Sequence, residues 1–508
     1  MQNKKEKVSL NPIMTLVILI GGTIVLSGIL ALFGVGASYS ILSDGSFKNE
    51  WVAVESLFNL SGIKYIFQST VSNFAAFTPL SMLIIILIGI GIMEKSGFLK
   101  TTFSLLTRKC QKKTITFFVV LICILSSLGG DLGYVIMIPI TALLFYHGRR
   151  NPLLGIVTSF AALTCGTGLS IFQTSVDSSL DAITLNYSHI LDSSYLMNHW
   201  AFIIIMVVAI LTLSAVITYV AEKFSVNEIE KYEFKEEKKE YKLTKREIRG
   251  LIFAGTFGIL YLLIFIYNII PGLPLSGNLL DYSQSLYIDK LFSPDSFFSQ
   301  GFVFIVTMLF VILGLFYGLG ARTIKNSNDF CDDLTHSLDG IGKTIILIFL
   351  ASILINVFKK TNIGVVITAL IGSLINNCKF TGIPLLLLFF LGVAISTLVL
   401  PNSINKWTIL ASTCVPTLMN VGFSAEFTQV IFRFAEGVTY GLTPIMAYFV
   451  IYLAYMEKYN QKDEPLGVVK IMSYQKKFSL ATAVVFLILL VLWYLVGIPI
   501  GISTMPTI

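Results

Sequence analysis

The sequence predicts an all-α polytopic membrane protein with about nine transmembrane helices and two re-entrant helical hairpins in inverted repeats. Three observations carry this. Of 508 residues, 55% are hydrophobic and 13% charged, against ~25% charged in soluble domains. Apolar stretches of about 20 residues recur at 12–34, 76–93, 152–186, 199–220, 248–270, 299–320, 338–358, 427–455 and 477–500. Two further apolar segments are each interrupted by a polar octapeptide, SSLGGDLG (126–133) and LPNSINKW (400–407).

Residues 1–75 hold the first span and an external loop. Charge in the first 43 residues is confined to Lys4, Lys5, Glu6 and Lys7, and the apolar run from Pro12 to Gly34 follows. That run is too long for a signal-peptide core and suits a retained span. The basic end places the N-terminus in the cytoplasm and 35–75 outside.

Residues 76–220 form a first repeat. Its loop 93–113 carries Lys95, Lys100, Arg108, Lys109, Lys112 and Lys113 against one glutamate, as a cytoplasmic loop should. The segment 114–148 is flanked on its far side by Arg149 and Arg150, so both flanks are basic. Each apolar half, ITFFVVLICIL (115–125) and YVIMIPITALLFYH (134–147), is short for a crossing. A hairpin that enters and leaves by the cytoplasmic face satisfies both facts. Non-helical backbone at its tip then has to line protein or a water-filled cavity. The span 152–186 is broken by CGTGLSIFQTSVDSS (165–179).

Residues 221–250 are a charged cytoplasmic linker, with nine basic and eight acidic residues over 222–249. Residues 251–337 supply connecting scaffold helices. Residues 338–508 repeat the first pattern in inverted topology: a span, a hairpin at 382–419 with LPNSINKW at its tip, a span 427–455 broken by RFAEGVTYGLTP (433–444), and a last span that leaves the C-terminus external. Inverted repeats with interrupted helices mark secondary transporters that bind substrate at mid-membrane. Lys359 and Lys360 fall outside in this arrangement, against the usual bias.

Several function classes are disfavoured. The net charge of +7 lies in short loops beside apolar spans, which orients a membrane protein and does not mark a nucleic-acid binder. Cys110, Cys123, Cys165, Cys331, Cys378 and Cys414 are scattered and form no disulfide framework. His147, His189, His199 and His336 lack ligand spacing, so no metal site is expected. Neither a Walker loop nor GxGxxG is present, so ATP hydrolysis within this chain is disfavoured.

Charged groups inside apolar segments are the candidate site. Asp177 and Arg433 lie one in each broken helix, where an ionised group costs at least ~3 kcal/mol and usually faces a cavity. An ion pair between the repeats is the structural alternative. Glu436 lies one turn after Arg433 and either acts with it or neutralises it. Asp131 suits the start of the helix at Leu132 as a cap, beside glycines that permit close approach. Asn402, Ser403 and Asn405 offer neutral donors and acceptors near half-helix N-termini. Trp407 is either an interfacial belt residue or a ring placed in a cavity to stack on an aromatic ligand.

The stretches FTPLSMLIIILIGIGIMEKSGFL (77–99), GGDLGYVIMIPITAL (129–143), INKWTILASTCVPTLM (404–419), QVIFRFAEG (429–437) and WYLVGIPIG (493–501) resemble the p-aminobenzoyl-glutamate transporter family, AbgT, over nearly the whole chain. The resemblance implies nine spans plus two hairpins in a homodimer of a bacterial inner membrane. It marks Asp177, Trp407 and Arg433 for substrate, with Glu436 where the family has aspartate. It also implies proton or sodium coupling without an organic cofactor, and possible export of antimetabolites. The chain departs from the family at Thr397, where asparagine is usual, at Ala425, where proline is usual, and at Ser175 and Val176, where threonines are usual. On this reading Asp177, Glu436 and Thr397 are the positions for ion coupling, and Asp177, Trp407, Arg433, Asn402, Ser403, Asn405 and Asp131 those for substrate. An intramembrane hydrolase using Asp131 and Asp177, or a carboxylate transporter of similar hairpin architecture, are the alternatives.

Overall fold

A computed structural model describes residues 10–43, 46–198, 200–234, 241–285, 287–293 and 295–508. The basic N-terminal residues Lys4 to Lys7, His199 and the linker stretch 235–240 lie outside the described residues.

The chain is helical, and nine helices among the described residues are long and apolar enough to cross a membrane. Seven of them coincide with expected spans. The other two are Lys112–Gly129 and Gly382–Val399, first arms of the two expected hairpins. They stand in place of 152–186 and 427–455, each of which is broken into shorter pieces: Pro152–Cys165 with Ser175–Ser188, and Ala425–Thr439 with Phe449–Lys458. The break in the first follows from Gly166 and from Gly168, whose φ of +88° suits glycine.

Other elements lie beyond what the hydropathy pattern announces. Strands Gly36–Ser43 and Ser46–Ala53 pair antiparallel, with Gly36 opposite Ala53, so the fold is helical with one small β-hairpin. Ala37 and Val54 pack on a further unexpected helix, Ile363–Asn377, through Ile363, Val366 and Ala369. Helices Leu60–Ala75 and Phe98–Lys109 are also additional. Short length or a polar composition keeps each of these segments below the threshold of a span.

Burial sorts the helices by environment. Every residue of Pro152–Cys165 and every residue from Ala425 to Val438 is buried, whereas Lys245–Ile269 exposes Ile252, Ile259, Leu263 and Ile264. Broken helices carry unpaired backbone groups and so belong inside protein; unbroken apolar ones can face lipid. Gly437 lets the two broken helices cross closely, because a Cβ there would sit 2.6 Å from the Cys165 carbonyl oxygen.

The ends of segment 112–150 meet. Arg150 donates to the Lys112 carbonyl oxygen at 3.2 Å and to Thr116 Oγ1 at 2.9 Å, and pairs with Glu222 at 2.5 Å. Helices Lys112–Leu125 and Leu132–His147 have 14 and 16 residues. At about 1.5 Å per residue Leu132–His147 reaches roughly 24 Å, short of a ~30 Å hydrocarbon core, whereas Lys112–Gly129 taken as one helix of 18 residues falls within the range of a span.

Polar contacts sort the chain ends into two sets. One joins Glu55 to Lys360 at 2.5 Å, Tyr187 to the Ser40 carbonyl at 3.2 Å, and Ile502 N–H to the Trp200 carbonyl at 3.1 Å. The other joins Arg150 to Glu222, and Lys343 to Glu457 at 2.6 Å. Glu55 thus pairs with one of the two lysines that ran against the bias expected of an external loop. Cysteines placed at Lys113 and Arg149 are expected to react with an impermeant thiol reagent from the cytoplasmic side alone. Reaction of either from outside would make 114–148 an ordinary crossing.

Candidate functional site

The break after Cys165 ends at Thr174, which caps helix Ser175–Ser188 in a reciprocal box with Asp177. Asp177 Oδ2 accepts from Thr174 N–H at 3.1 Å and Thr174 Oγ1 at 2.7 Å. Its Oδ1 accepts from Arg433 at 2.9 Å. Arg433 reaches on to Glu436, one turn away, at 3.4 Å. Glu436 also accepts from Ser403 Oγ at 2.5 Å and from Lys406 Nζ at 3.0 Å, and Lys406 donates to Thr397 Oγ1 at 2.8 Å. The result is a row of alternating charge, Asp177, Arg433, Glu436 and Lys406, joining both broken helices to the second tip. Taking an ion out of water costs several kcal/mol, and only opposite charges with further hydrogen bonds offset it. Two acids and two bases meet that requirement.

A second hydrogen-bonded network lies alongside. Gln429 donates to Asp181 Oδ1 at 2.6 Å and accepts from Thr184 at 2.5 Å, and Thr184 accepts from Trp407 Nε1 at 2.9 Å. Trp407 is wholly enclosed between Phe389 and Phe432, with ring centroids 6.4 and 4.4 Å away. The expectation of a ring displayed in a cavity is not met here: its faces are covered and its N–H is spent on Thr184.

Arg433 opens onto a cavity of about 460 Å³ with Asp131, Ser403, Phe298, Phe302 and Tyr440 in its wall. Its side chain is 7% exposed, and its buried Nε–H has no hydrogen-bond partner among the described residues. Gly168 faces that N–H, a Cβ there lying 3.0 Å from Nε. Asp131 occupies the position before helix Leu132–His147, but its side chain makes no cap bond, a correction to its reading as a cap. The carboxylate turns instead toward the cavity and Tyr448. Asn402 caps helix Ser403–Met419 by accepting from Asn405 N–H at 2.9 Å. Asn402 and Asn405 line a second cavity, and Asp177 lines a third, small one with Asp181. Thr397 and Glu436 are enclosed.

The structure thus brings Asp177, Arg433, Glu436, Ser403 and Thr397 into one network and sets Asp131 across the cavity. Asp131 lines the first cavity, whereas Asp177 lines the small third one and is bonded to Thr174 and Arg433, so the two acids considered for a hydrolase face different cavities. Sequence reasoning missed Lys406, Asp181, Gln429 and the Phe298–Phe302 wall. Lys406 carried a signal as a lone cation in an apolar helix, and Asp181 as a second acid one turn after Asp177. The phenylalanines carried none.

The sequence profile of the AbgT putative transporter family matches residues 6–508. The chain belongs to the AbgT family. It is 26% identical over 503 residues to the p-aminobenzoyl-glutamate transport protein of Escherichia coli K12, covering 98% of this chain and 94% of that one. Among solved structures, the YdaH transporter of Alcanivorax borkumensis is 24% identical, with a TM-score of 0.49 over 97% of this chain and 100% of its own. MtrF of Neisseria gonorrhoeae, described as illuminating a class of antimetabolite efflux pumps, is 26% identical, with a TM-score of 0.48 and 97% of each chain covered. As an AbgT-family chain the protein is a multi-pass membrane transporter, and the family departures acquire local roles. Thr397 receives Lys406. Ala425 N–H donates to the Tyr195 hydroxyl at 3.2 Å, a bond proline could not make, and that hydroxyl donates in turn to Glu426.

Proposed function

We propose that this protein is a secondary active transporter of p-aminobenzoyl-glutamate or a related aromatic, anionic folate catabolite or antimetabolite, driven by a proton or sodium gradient. The observation that carries this reading is the unpartnered Nε–H of Arg433 at the cavity wall. A carboxylate entering beside Gly168 can take Nε–H together with a terminal N–H in a bidentate pair, in competition with Asp177. Phe298 and Phe302 offer the aromatic surface that the enclosed Trp407 does not, and Asp131 can accept from an arylamine. Trp407 then acts by positioning the Thr184–Gln429–Asp181 network.

Competition for Arg433 suggests how coupling works. When Asp177 is ionised it holds the guanidinium; when protonated it releases it to the substrate. Lys406 fills the space between Thr397 and Glu436, the two other positions assigned to ion coupling, and this favours a proton on Asp177 over sodium. The re-entrant hairpins, inverted repeats, homodimer and inner-membrane setting with cytoplasmic N-terminus and external C-terminus belong to the same proposal.

Uptake and counterflow in liposomes under imposed proton or sodium gradients test it. Substrate should cross unchanged, whereas a hydrolase would return product. Asp177→Asn mimics the protonated acid, so proton-driven accumulation should fall to background while binding persists. Intact accumulation by this variant would remove Asp177 from coupling, and loss of binding as well would assign it to recognition.

A further inference from the structure

The second cavity encloses about 430 Å³, nearly the volume of the first, and shares Asp131 and Tyr440 with it as a common wall. We propose that it is a second binding chamber for the same chemical class, an aromatic amine bearing a carboxylate, with Lys359 as its anion anchor; this rests on the transporter reading above.

Lys359 and Lys360 end the same helix, yet differ in their commitments. Lys360 pairs with Glu55 at 2.5 Å, whereas among the described residues Lys359 has no carboxylate within 4.0 Å and faces the chamber. Asn402 and Asn405 place amides in the same wall, and Phe358 and Tyr448 supply ring surface. Volume, a few polar groups and mostly apolar walls are the attributes of small-molecule sites.

Charge sets the orientation of the ligand. The Asp131 carboxylate repels an anion at the shared wall, so the ligand carboxylate lies at the Lys359 end and its amine at Asp131. In the first cavity Arg433 and Asp131 impose the same polarity. A ligand therefore meets Asp131 with its amine from either side of the partition, and the two chambers form successive stations on one path. Lys359 adjoins Lys360, which pairs with Glu55; in the topology proposed above this end of the helix is external, so the second chamber is the station nearer the external face.

The test uses the full chain in liposomes with Cys110, Cys331 and Cys378, the cysteines that are not buried, changed to serine. Single cysteines then replace Ser175 in the first cavity and Asn405 in the second. Labelling by an impermeant thiol reagent is measured with and without p-aminobenzoyl-glutamate. Both positions should be protected by saturating substrate, about fivefold or more. Lys359→Gln should raise the half-protecting concentration at 405 by roughly tenfold and leave that at 175 within about threefold. Protection caused merely by closure of the chamber would not respond to Lys359 in this selective way and would overturn the anchor. Protection at 175 without protection at 405 would empty the second chamber while leaving the transporter reading intact. Protection at neither position would overturn both.

Discussion

Arg433→Ala is expected to abolish binding of p-aminobenzoyl-glutamate. Among the described residues it removes the only cation that touches both Asp177 and the first cavity, and it leaves Asp177 without its counter-ion and the buried Glu436 with Lys406 alone. Breaking a buried pair costs about 3–5 kcal/mol in stability, so the folded fraction has to be measured beside the affinity. Arg433→Lys separates the two effects. Lysine keeps the charge, and with it most of the stability, but it has no Nε–H and no planar fork. Affinity for the dicarboxylate should fall by about 10- to 100-fold, or ~1.4–2.8 kcal/mol, while thermal unfolding in detergent stays near that of the parent. An Arg433→Lys protein that binds as tightly as wild type would show that the substrate carboxylate lies elsewhere.

The second large effect is expected at Lys406. Its ammonium is fully enclosed, with Glu436 at 3.0 Å and Thr397 at 2.8 Å, and lies 5.5 Å from the centre of the Phe432 ring. Lys406→Met is close in volume but leaves Glu436 with Ser403 and a long contact to Arg433. A loss of about 3–5 kcal/mol is expected for one partner removed from such a pair. Glu436→Gln alone should also destabilise, because Lys406 then sits buried without its counter-ion. The double variant should recover at least half of either loss, since removing both charges leaves neither unpaired, with a coupling energy above ~1 kcal/mol. Additive losses, read from thermal unfolding of the four proteins, would mean that the two groups do not depend on one another.

Stability and coupling meet at Lys406. Lys406 holds Glu436 at 3.0 Å against 3.4 Å from Arg433 to the same carboxylate, and in the proposed cycle the guanidinium is shared chiefly between Asp177 and substrate. The proposed cycle therefore calls on Asp177 alone, although Asp181 and Glu436 each lie one turn from Asp177 or Arg433.

Much of this was legible in the sequence, for a physical reason. Transfer of a segment into hydrocarbon is close to a sum over its own residues, so apolar length, basic loops and out-of-place polar octapeptides can be read locally. By the same logic Asp177, Arg433 and Glu436 stand out, because an ion in an apolar run is costly wherever it lies. The apolar spans and the marked residues were therefore accessible from the chain alone, whereas the small β-hairpin and the short helices Leu60–Ala75, Phe98–Lys109 and Ile363–Asn377 were not. The glycines that break the helix after Cys165 were accessible too, since their conformational freedom is intrinsic.

What each marked group touches depended on packing between distant segments. Asp177 meets Arg433 across 256 residues and Lys406 meets Glu436 across 30. No local pattern encodes such a pairing. The enclosure of Trp407, the Phe298–Phe302 wall contributed by the scaffold, the Asp131 side chain turned away from its helix end, and the partition between two cavities all arise the same way. Burial and cavity shape are properties of surfaces brought together, so composition and spacing decided that this chain crosses a membrane and carries charge within it, and the tertiary structure alone decided which charge neutralises which and where space for a ligand remains.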